Sequence, residues 1–130
     1  MEKKYEKYIV KQPKIVESFE KHATGKYQIL MDDELVPGAE FFIVGGISKK
    51  IYQSNPLTKH SHDINEVYLF LSKKGDTEIE VELGNENYLL TPPVSIYIPK
   101  GVRHIFRYKK INSPLTVVAI CQGGKYSTFD

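Results

Sequence analysis

Two histidines spaced by one residue stand just before an apolar run, and a glutamate opens that run. The stretch LTKHSHDINEVYLFL, residues 57–71, contains His60, His62 and Glu66. Alternate residues of a strand share a face, so the imidazoles of His60 and His62 are expected to project together. A bare carboxylate at the start of a buried strand is unfavourable unless something compensates it. Two imidazoles and a divalent cation would provide that compensation.

A second group with the same chemistry lies further along the chain, in YIPKGVRHIFRY, residues 97–108. Pro99 and Gly101 predict a tight turn between two strands, and His104 opens the second strand. Three of the four histidines therefore stand at strand starts beside turns, with a glutamate in reach. Nitrogen ligands with one carboxylate suit Fe, Mn, Ni, Cu or Zn better than Ca or Mg.

The strand that carries the glutamate, EVYLFL at 66–71, is apolar on both faces beyond its first residue. Glu66, Tyr68 and Phe70 share one face, and Val67, Leu69 and Leu71 share the other. This pattern is typical of a strand that is buried on both sides.

The elements that position these residues are predicted to be mostly strands. Strand-like runs alternate with turn residues at 39–47, 49–53, 66–71, 77–83, 87–90, 94–98, 104–108 and 115–121. In TEIEVEL at 77–83, three apolar residues alternate with three glutamates, which indicates one buried and one solvated face. The residues at 83–87 predict a tight reversal. Many short strands with little helix favour a sandwich or a barrel.

The N-terminal part of the chain is patterned differently. Residues 13–26, PKIVESFEKHATGK, predict a short helix that stops near Gly25. We therefore divide the chain into an N-terminal extension, residues 1–25, and one β domain, residues 26–130.

Composition limits the setting. The chain has 130 residues, 41% hydrophobic and 26% charged, which is ordinary for one globular domain. Its formal net charge is +2 and its basic residues are dispersed, so neither a nucleic-acid partner nor a membrane surface is expected. The charged start, MEKKYEKYIV, does not resemble a signal peptide. The single cysteine, Cys121, cannot form an internal disulfide, and we expect a cytoplasmic protein.

The two histidine groups resemble the motifs of the cupin family. His60, His62 and Glu66 fit the core of its first motif, His-x-His followed four residues later by Glu. Pro99, Gly101 and His104 fit its second motif, Pro-x-Gly-x-x-His. The motif-bearing region, about residues 51–108, is a little under half of the chain.

The resemblance implies a small antiparallel jelly-roll β-barrel that holds one divalent transition ion inside. The implied metal ligands are His60, His62, Glu66 and His104. The chain departs from the family pattern where Ser54, Lys73 and Pro93 stand in place of glycines and Tyr108 in place of an asparagine. None of these is a ligand, so the departures concern loop shape and pocket lining.

Two tyrosines are candidates for catalytic residues. Tyr68 lies two residues after Glu66, and Tyr108 lies four residues after His104, so each shares the strand face expected to carry the metal. Their hydroxyl groups could contact a substrate. Core packing is the competing interpretation for their aromatic neighbours. Cys121, in an apolar run with no base beside it, is expected to be a buried small side chain. The fourth histidine, His22, is expected to be solvated.

Three functions remain open from the sequence. The leading hypothesis is a metalloenzyme that acts on a small oxygenated molecule, with a dioxygenase-type oxidation first. A redox-neutral isomerase or lyase and a non-catalytic ligand-binding or sensing domain are the alternatives, because fold alone does not decide function. The resemblance also implies a homodimer, in which Tyr5, Tyr8 and Ile9 could pack across a two-fold axis.

Overall fold

The structure is a computed structural model, and it describes residues 3–16, 27–49, 51 and 58–125. These ranges contain one 3-10 helix at Glu6–Tyr8 and nine strands. The strands are β1 (Lys14–Val16), β2 (Tyr27–Met31), β3 (Phe41–Ser48), β4 (Glu66–Leu71), β5 (Thr77–Leu83), β6 (Glu86–Leu90), β7 (Val94–Ile98), β8 (His104–Ile111) and β9 (Leu115–Gln122). In these ranges, no helix has the length and apolar character needed to cross a lipid bilayer.

The strands form two antiparallel sheets. The larger sheet has six strands in the order β1-β2-β3-β9-β4-β7, and the smaller has three in the order β6-β5-β8. Neighbours in both sheets come from distant parts of the chain, as in β3 beside β9 and β5 beside β8. The predicted all-β class, an antiparallel jelly roll, is confirmed.

The smaller sheet follows the alternation predicted from its sequence. In β5, Ile79 and Val81 are fully buried against the larger sheet. The intervening glutamates face solvent, where Glu80 lies 3.4 Å from Arg107 and Glu78 lies 3.6 Å from Lys110. Such exposed ion pairs contribute little to stability. The predicted reversal after β5 is also present, with Leu83 paired to Glu86.

The main core lies between the inner faces of the two sheets. Its buried members are Tyr68, Phe70, Ile79, Val81, Ile96, Ile98, Leu115 and Ala119. A smaller cluster of Ile29, Phe42 and Cys121 continues this layer toward β2 and β3. Both clusters lie under the strands that carry the glutamate and the histidines, so the core fixes the positions of those residues.

The other face of the six-stranded sheet, which we call the outer face, is apolar and partly exposed. Strand alternation and register place these residues on it: Ile15, Gln28, Leu30, Phe41, Ile43, Gly45, Ile47, Val67, Leu69, Leu71, Ser95, Tyr97, Thr116, Val118, Ile120 and Gln122. The prediction that β4 is buried on both sides is therefore wrong for the described chain. Val67 and Leu69 are half-buried and Leu71 is 48% exposed, because no described segment covers this face.

The prediction of a helix at residues 13–26 is wrong where the structure describes it. Residues 14–16 form β1, which pairs with β2 through Lys14↔Ile29 and Val16↔Tyr27. Two adjacent β-branched residues favour an extended chain, and Lys14 bonds Asp32 across the sheet at 2.7 Å. Residues 17–26, with His22, lie outside the described residues, and the boundary at residue 25 stays a prediction.

One predicted strand is not seen and one observed strand was not predicted. Of the run at 49–53, residues 49 and 51 are not in a strand, and the remainder lies outside the described residues. Conversely, β2 was not predicted, although it is an inner strand of the larger sheet.

Candidate metal centre

His60 and His104 lie directly opposite each other on adjacent extended segments. The backbone N–H of His60 donates to the carbonyl of His104 at 3.1 Å, and the N–H of His104 donates to the carbonyl of His60 at 2.8 Å. Residues that exchange both backbone bonds project their side chains to the same side of the ladder. This pairing brings the two sequence motifs together at the start of β8.

The turn before β8 fixes the second histidine of the first motif. Val102 donates its N–H to the carbonyl of Pro99 at 3.2 Å, and Gly101 between them has φ +83°. Only glycine adopts that backbone easily at the third position of a type II turn. The Gly101 N–H then donates to the carbonyl of His62 at 2.8 Å, so the turn holds His62 against β8.

The three imidazoles converge in the interior. His60, His62 and His104 are 3%, 2% and 1% exposed, and their ring centroids lie 4.7–5.2 Å apart. One nitrogen of each lies within 4.8 Å of the other two. Bonds of about 2.0–2.1 Å to a common ion place neighbouring nitrogens roughly 3 Å apart, so small side-chain rotations would complete a site.

Backbone carbonyls set the tautomer of two of these rings. The Nδ1 atoms of His60 and His104 lie 2.7 Å from the carbonyl of Thr58 and 3.0 Å from that of Val102. A carbonyl can only accept, so each Nδ1 carries the proton and donates. The lone pair of each ring is then on Nε2, as is usual for metal-binding histidines whose other nitrogen is held by a hydrogen bond.

Glu66 supplies the carboxylate beside this cluster. It is 2% exposed, and its Oε1 lies 3.1 Å from Nε2 of His104 and 3.5 Å from Nε2 of His62. Neither Oε1 nor Nε2 of His104 has a partner with hydrogen-bond geometry among the described residues. A buried carboxylate oxygen left in this state is unfavourable, and a cation beside it would satisfy it. The donor set therefore fits a transition ion.

The electrostatics of Glu66 favour its charged form. Burial raises the pKa of its carboxyl, but the close contact with His104 and the electrostatic influence of His62 and His104 outweigh burial and hold the pKa below its ordinary value. The Cys121 thiol contributes in the same direction by donating to Oε2 at 3.4 Å. A charged carboxylate is the form that binds a metal.

Cys121 is the residue near the site that sequence reasoning did not connect to it. It is fully buried, as predicted, and burial followed by the nearby Glu66 charge raises the pKa of its thiol. Its contact with Glu66 depends on the pairing of β9 with β4, in which Cys121 is opposite Glu66. That pairing joins distant segments, and no local pattern in the sequence reveals it.

The two predicted catalytic tyrosines lie further along the same inner faces. The Tyr68 ring is 7% exposed, 6.4 Å from the His104 ring and 4.6 Å from the Phe106 ring. Tyr108 is on β8 opposite Ile79 and packs against the main core, where burial and then the neighbouring Tyr27 raise its pKa. Tyr68 therefore lies beside the site and Tyr108 lies four residues beyond His104 on β8, and the catalytic role of both stays a prediction.

No protein-family model matches the sequence, and no curated protein matches it. Solved structures do match. A cupin 2 domain-containing protein from Halorhodospira halophila superposes with a TM-score of 0.61 at 19% identity, covering 85% of this chain and 71% of that one. An RmlC-like cupin from Shewanella frigidimarina NCIMB 400 gives 0.54 at 18%, covering 88% and 86%.

A third match is a structure of the DMSP lyases RdDddP and RnDddQII, with a TM-score of 0.59 at 14% identity. It covers 90% of this chain, which spans 61% of the lyase chain. At sequence identities of 14–19%, these matches are evidence for the fold alone. Together with two antiparallel sheets around a cluster of three buried histidines, they show that this chain has the cupin fold.

Proposed function

We propose that the chain binds one divalent transition ion through His60, His62, Glu66 and His104, and uses it to transform a small oxygenated organic molecule. The observation that carries the proposal is the state of Glu66. Its buried Oε1 faces two imidazole nitrogens and has no hydrogen bond within the described chain. A dioxygenase-type oxidation is the reaction we put first.

When bound, an ion with three imidazoles and one carboxylate would offer one or two open positions, Lewis acidity and, for Fe, Mn, Ni or Cu, redox chemistry. The chain supplies the rest of the pocket. Phe70 and Phe106 form an apolar wall with Tyr68. The Phe70 ring lies 5.3 Å from the Phe106 ring and 5.8 Å from the Tyr68 ring, and the Phe106 ring lies 5.8 Å from the His104 ring. Such a wall excludes water and strengthens polar contacts to the substrate.

A tyrosine hydroxyl can orient an oxygenated substrate without binding the ion. Tyr68 is beside His104, and Tyr108 lies four residues along β8 on the same face. Either hydroxyl could hold the substrate by a hydrogen bond, which raises turnover through positioning. Burial keeps the pKa of Tyr108 above its ordinary value, so its hydroxyl stays a donor at neutral pH.

A redox-neutral lyase or isomerase is the second candidate. The match to a structure of DMSP lyases favours it, and the metal-ligating residues suit Lewis-acid chemistry equally well. A ligand-binding domain without catalysis is the third candidate. It is favoured because, among the described residues, the inner faces near the histidines carry tyrosines and a thiol as their titratable groups besides the proposed ligands, and no further carboxylate or imidazole.

Oxygen consumption separates these candidates. Apo-protein is loaded with Fe(II), Mn(II), Ni(II) or Cu(II), and dissolved oxygen is followed over catechols, enediols, thiols and β-diketones. We expect uptake with one redox-active metal. Turnover that is as fast without oxygen, or with Zn(II), would assign the lyase or isomerase class, and binding without turnover would assign a ligand-binding domain.

Tyr108→Phe tests the positioning role. We expect turnover to fall about 10-fold or more while metal content is unchanged, because the hydroxyl is not a proposed ligand. Tyr88→Phe is the matched control, since Tyr88 is 41% exposed on the smaller sheet and bonds Glu86. Equal turnover in the two variants would exclude Tyr108 from the reaction.

A further inference from the structure

The two carboxylate oxygens of Glu66 lie in different surroundings. Oε1 faces the imidazoles, 3.1 Å from Nε2 of His104 and 3.5 Å from Nε2 of His62. Oε2 accepts a hydrogen bond from the thiol of Cys121, with Sγ and Oε2 3.4 Å apart. One oxygen is therefore turned toward the candidate metal centre, and the other is held by sulfur.

The backbone places this thiol beside the carboxylate. Cys121 on β9 is paired directly with Glu66 on β4. Directly opposed residues of an antiparallel pair point to the same face, with Cβ atoms about 4.5–5.5 Å apart. The next pair of residues holds the register: Gln122 donates its N–H to the carbonyl of Asn65 at 3.0 Å, and Asn65 donates from Nδ2 to Oε1 of Gln122 at 2.9 Å. The contact between thiol and carboxylate therefore follows from the pairing of two strands.

Packing holds the thiol in this position. Cys121 is fully buried in the smaller cluster, together with Ile29 and Phe42. Phe42 on β3 is paired with Cys121 from the other side, so β9 is flanked at this point by β3 and β4. A side chain in such a close-packed layer has little room to change its position. Sγ consequently stays within reach of Oε2.

The chemistry of the two groups fixes the direction of the bond. A charged carboxylate only accepts hydrogen bonds, and the thiol of Cys121 has one S–H to donate. A thiol is a weak donor, but Glu66 is 2% exposed, and a buried charge without compensating bonds is unfavourable. The bond from Cys121 therefore matters more to Glu66 than the same bond would at the surface.

We infer that Cys121 is a positioning residue, whose thiol holds Oε2 so that Glu66 binds the ion through Oε1 alone. This inference deepens the proposed function and rests on it. Groups that hold a ligating side chain from behind change metal affinity roughly 10- to 100-fold when they are removed. Because a thiol is a weak donor, we expect an effect of about 10-fold, at the lower end of that range.

The way in which Glu66 binds decides how much of the ion is left for a substrate. A carboxylate that binds through one oxygen fills one coordination position, whereas a carboxylate that binds through both oxygens fills two. Ions in catalytic sites retain a position for water or substrate. By holding Oε2, the thiol of Cys121 keeps such a position free.

Co(II) titration of the full apo-chain tests this inference without any measurement of activity. It gives the affinity, and the visible absorption of bound Co(II) changes with its coordination number. We expect Cys121→Ala to weaken Co(II) binding about 10-fold and to alter the absorption spectrum, because the carboxylate is then free to rotate. Cys121→Ser, which keeps a donor, should stay within about 3-fold of the wild-type affinity.

A control substitution separates this role from packing. Ile29→Val removes one methyl group from the same smaller cluster, but Ile29 is on β2, which β3 and β9 separate from β4. Its Co(II) affinity should equal that of wild type. Thermal unfolding of each apo-variant shows whether it is folded. Cys121→Val, which fills the space without a donor, takes the place of Cys121→Ala if that variant does not fold.

A double-mutant cycle identifies the group through which Cys121 acts. If the thiol acts by holding the carboxylate, Cys121→Ala should cause no further loss of affinity in a Glu66→Ala background, where the three histidines remain. The same loss of about 10-fold in both backgrounds would overturn the positioning role, because the effect would not pass through Glu66.

The remaining outcomes distinguish this inference from the proposed function. Wild-type protein that does not bind Co(II) would overturn the metal site itself. Wild-type binding with a Cys121→Ala affinity within about 2-fold of it would overturn only the role of Cys121, as would a Cys121→Ser variant as weak as Cys121→Ala. An intense sulfur-to-cobalt charge-transfer band in the wild-type spectrum would also overturn that role, because it would show that the thiolate itself binds the ion.

Discussion

His60 and His104 form a two-bond antiparallel pair with backbone distances of 3.1 and 2.8 Å, and their rings lie 4.7 Å apart in the interior. Each ring is also held by a carbonyl two residues before it, at Thr58 and Val102. Backbone geometry thus fixes both rings before any ion binds. Such preorganisation reduces the conformational entropy that the two side chains lose when an ion binds.

Removing a ligand should separate metal binding from folding. We expect His104→Ala to lose most of its metal affinity but to keep the β signal in circular dichroism, because the core between the sheets stabilises the chain. Wild-type protein treated with a chelator should behave in the same way. Loss of the β signal on chelation would instead make the metal structural.

Metal affinity should fall with decreasing pH. Neutral imidazoles bind metal and protonated ones do not, so protons compete with the ion for histidine ligands as the solution becomes acidic. Calorimetric titrations between pH 8 and pH 5 measure the change. An affinity that is constant over this range would exclude imidazole ligands.

The inner-face aromatic residues should dominate stability. Phe70 is fully buried in the main core, and Phe70→Ala should lower the free energy of unfolding by about 3–5 kcal/mol. Leu89→Ala, at a side chain 65% exposed, should change it by less than about 0.5 kcal/mol. Urea denaturation measures both variants, and equal effects would contradict the assigned core.

Acid should release the N-terminal strand from the sheet. Asp32 accepts N–H bonds from Glu34 and Leu35 and bonds Lys14 of β1 at 2.7 Å. Burial raises the pKa of Asp32, but these bonds outweigh burial and hold the pKa below its ordinary 3.8.

Because the folded-state pKa of Asp32 is lowered, its contribution to stability is complete above the ordinary value and is lost as pH falls through the folded value. We therefore expect Asp32→Asn to melt at a lower temperature than wild type at pH 7, with the difference shrinking below about pH 4. A difference that does not change with pH would exclude this titration.

Local patterns in the sequence were enough to predict which side chains come together at the candidate site. The spacing of His60, His62 and Glu66 and the turn before His104 each specify which way a side chain points. The structure brings three of these groups within 4.8 Å of one another, with the carboxylate in contact with two of them. Strand alternation likewise predicted the buried and charged faces of β5.

Features that depend on distant pairing were not predictable in this way. The bond between Cys121 and Glu66 arises because β9 lies beside β4. β1 is three residues long, too short to show alternation, and its place depends on Lys14 reaching Asp32. The apolar residues of β4, such as Leu71, look the same in sequence whether this chain or another molecule covers them.

The most direct test of the account is the metal content of the protein purified without a chelating tag. Elemental analysis should find one transition ion per chain, and His104→Ala should retain less than about a tenth of it while His22→Ala retains all of it. A wild-type chain that neither contains nor takes up Fe, Mn, Ni, Cu or Zn would contradict the central claim, as would a His104→Ala variant with full metal content.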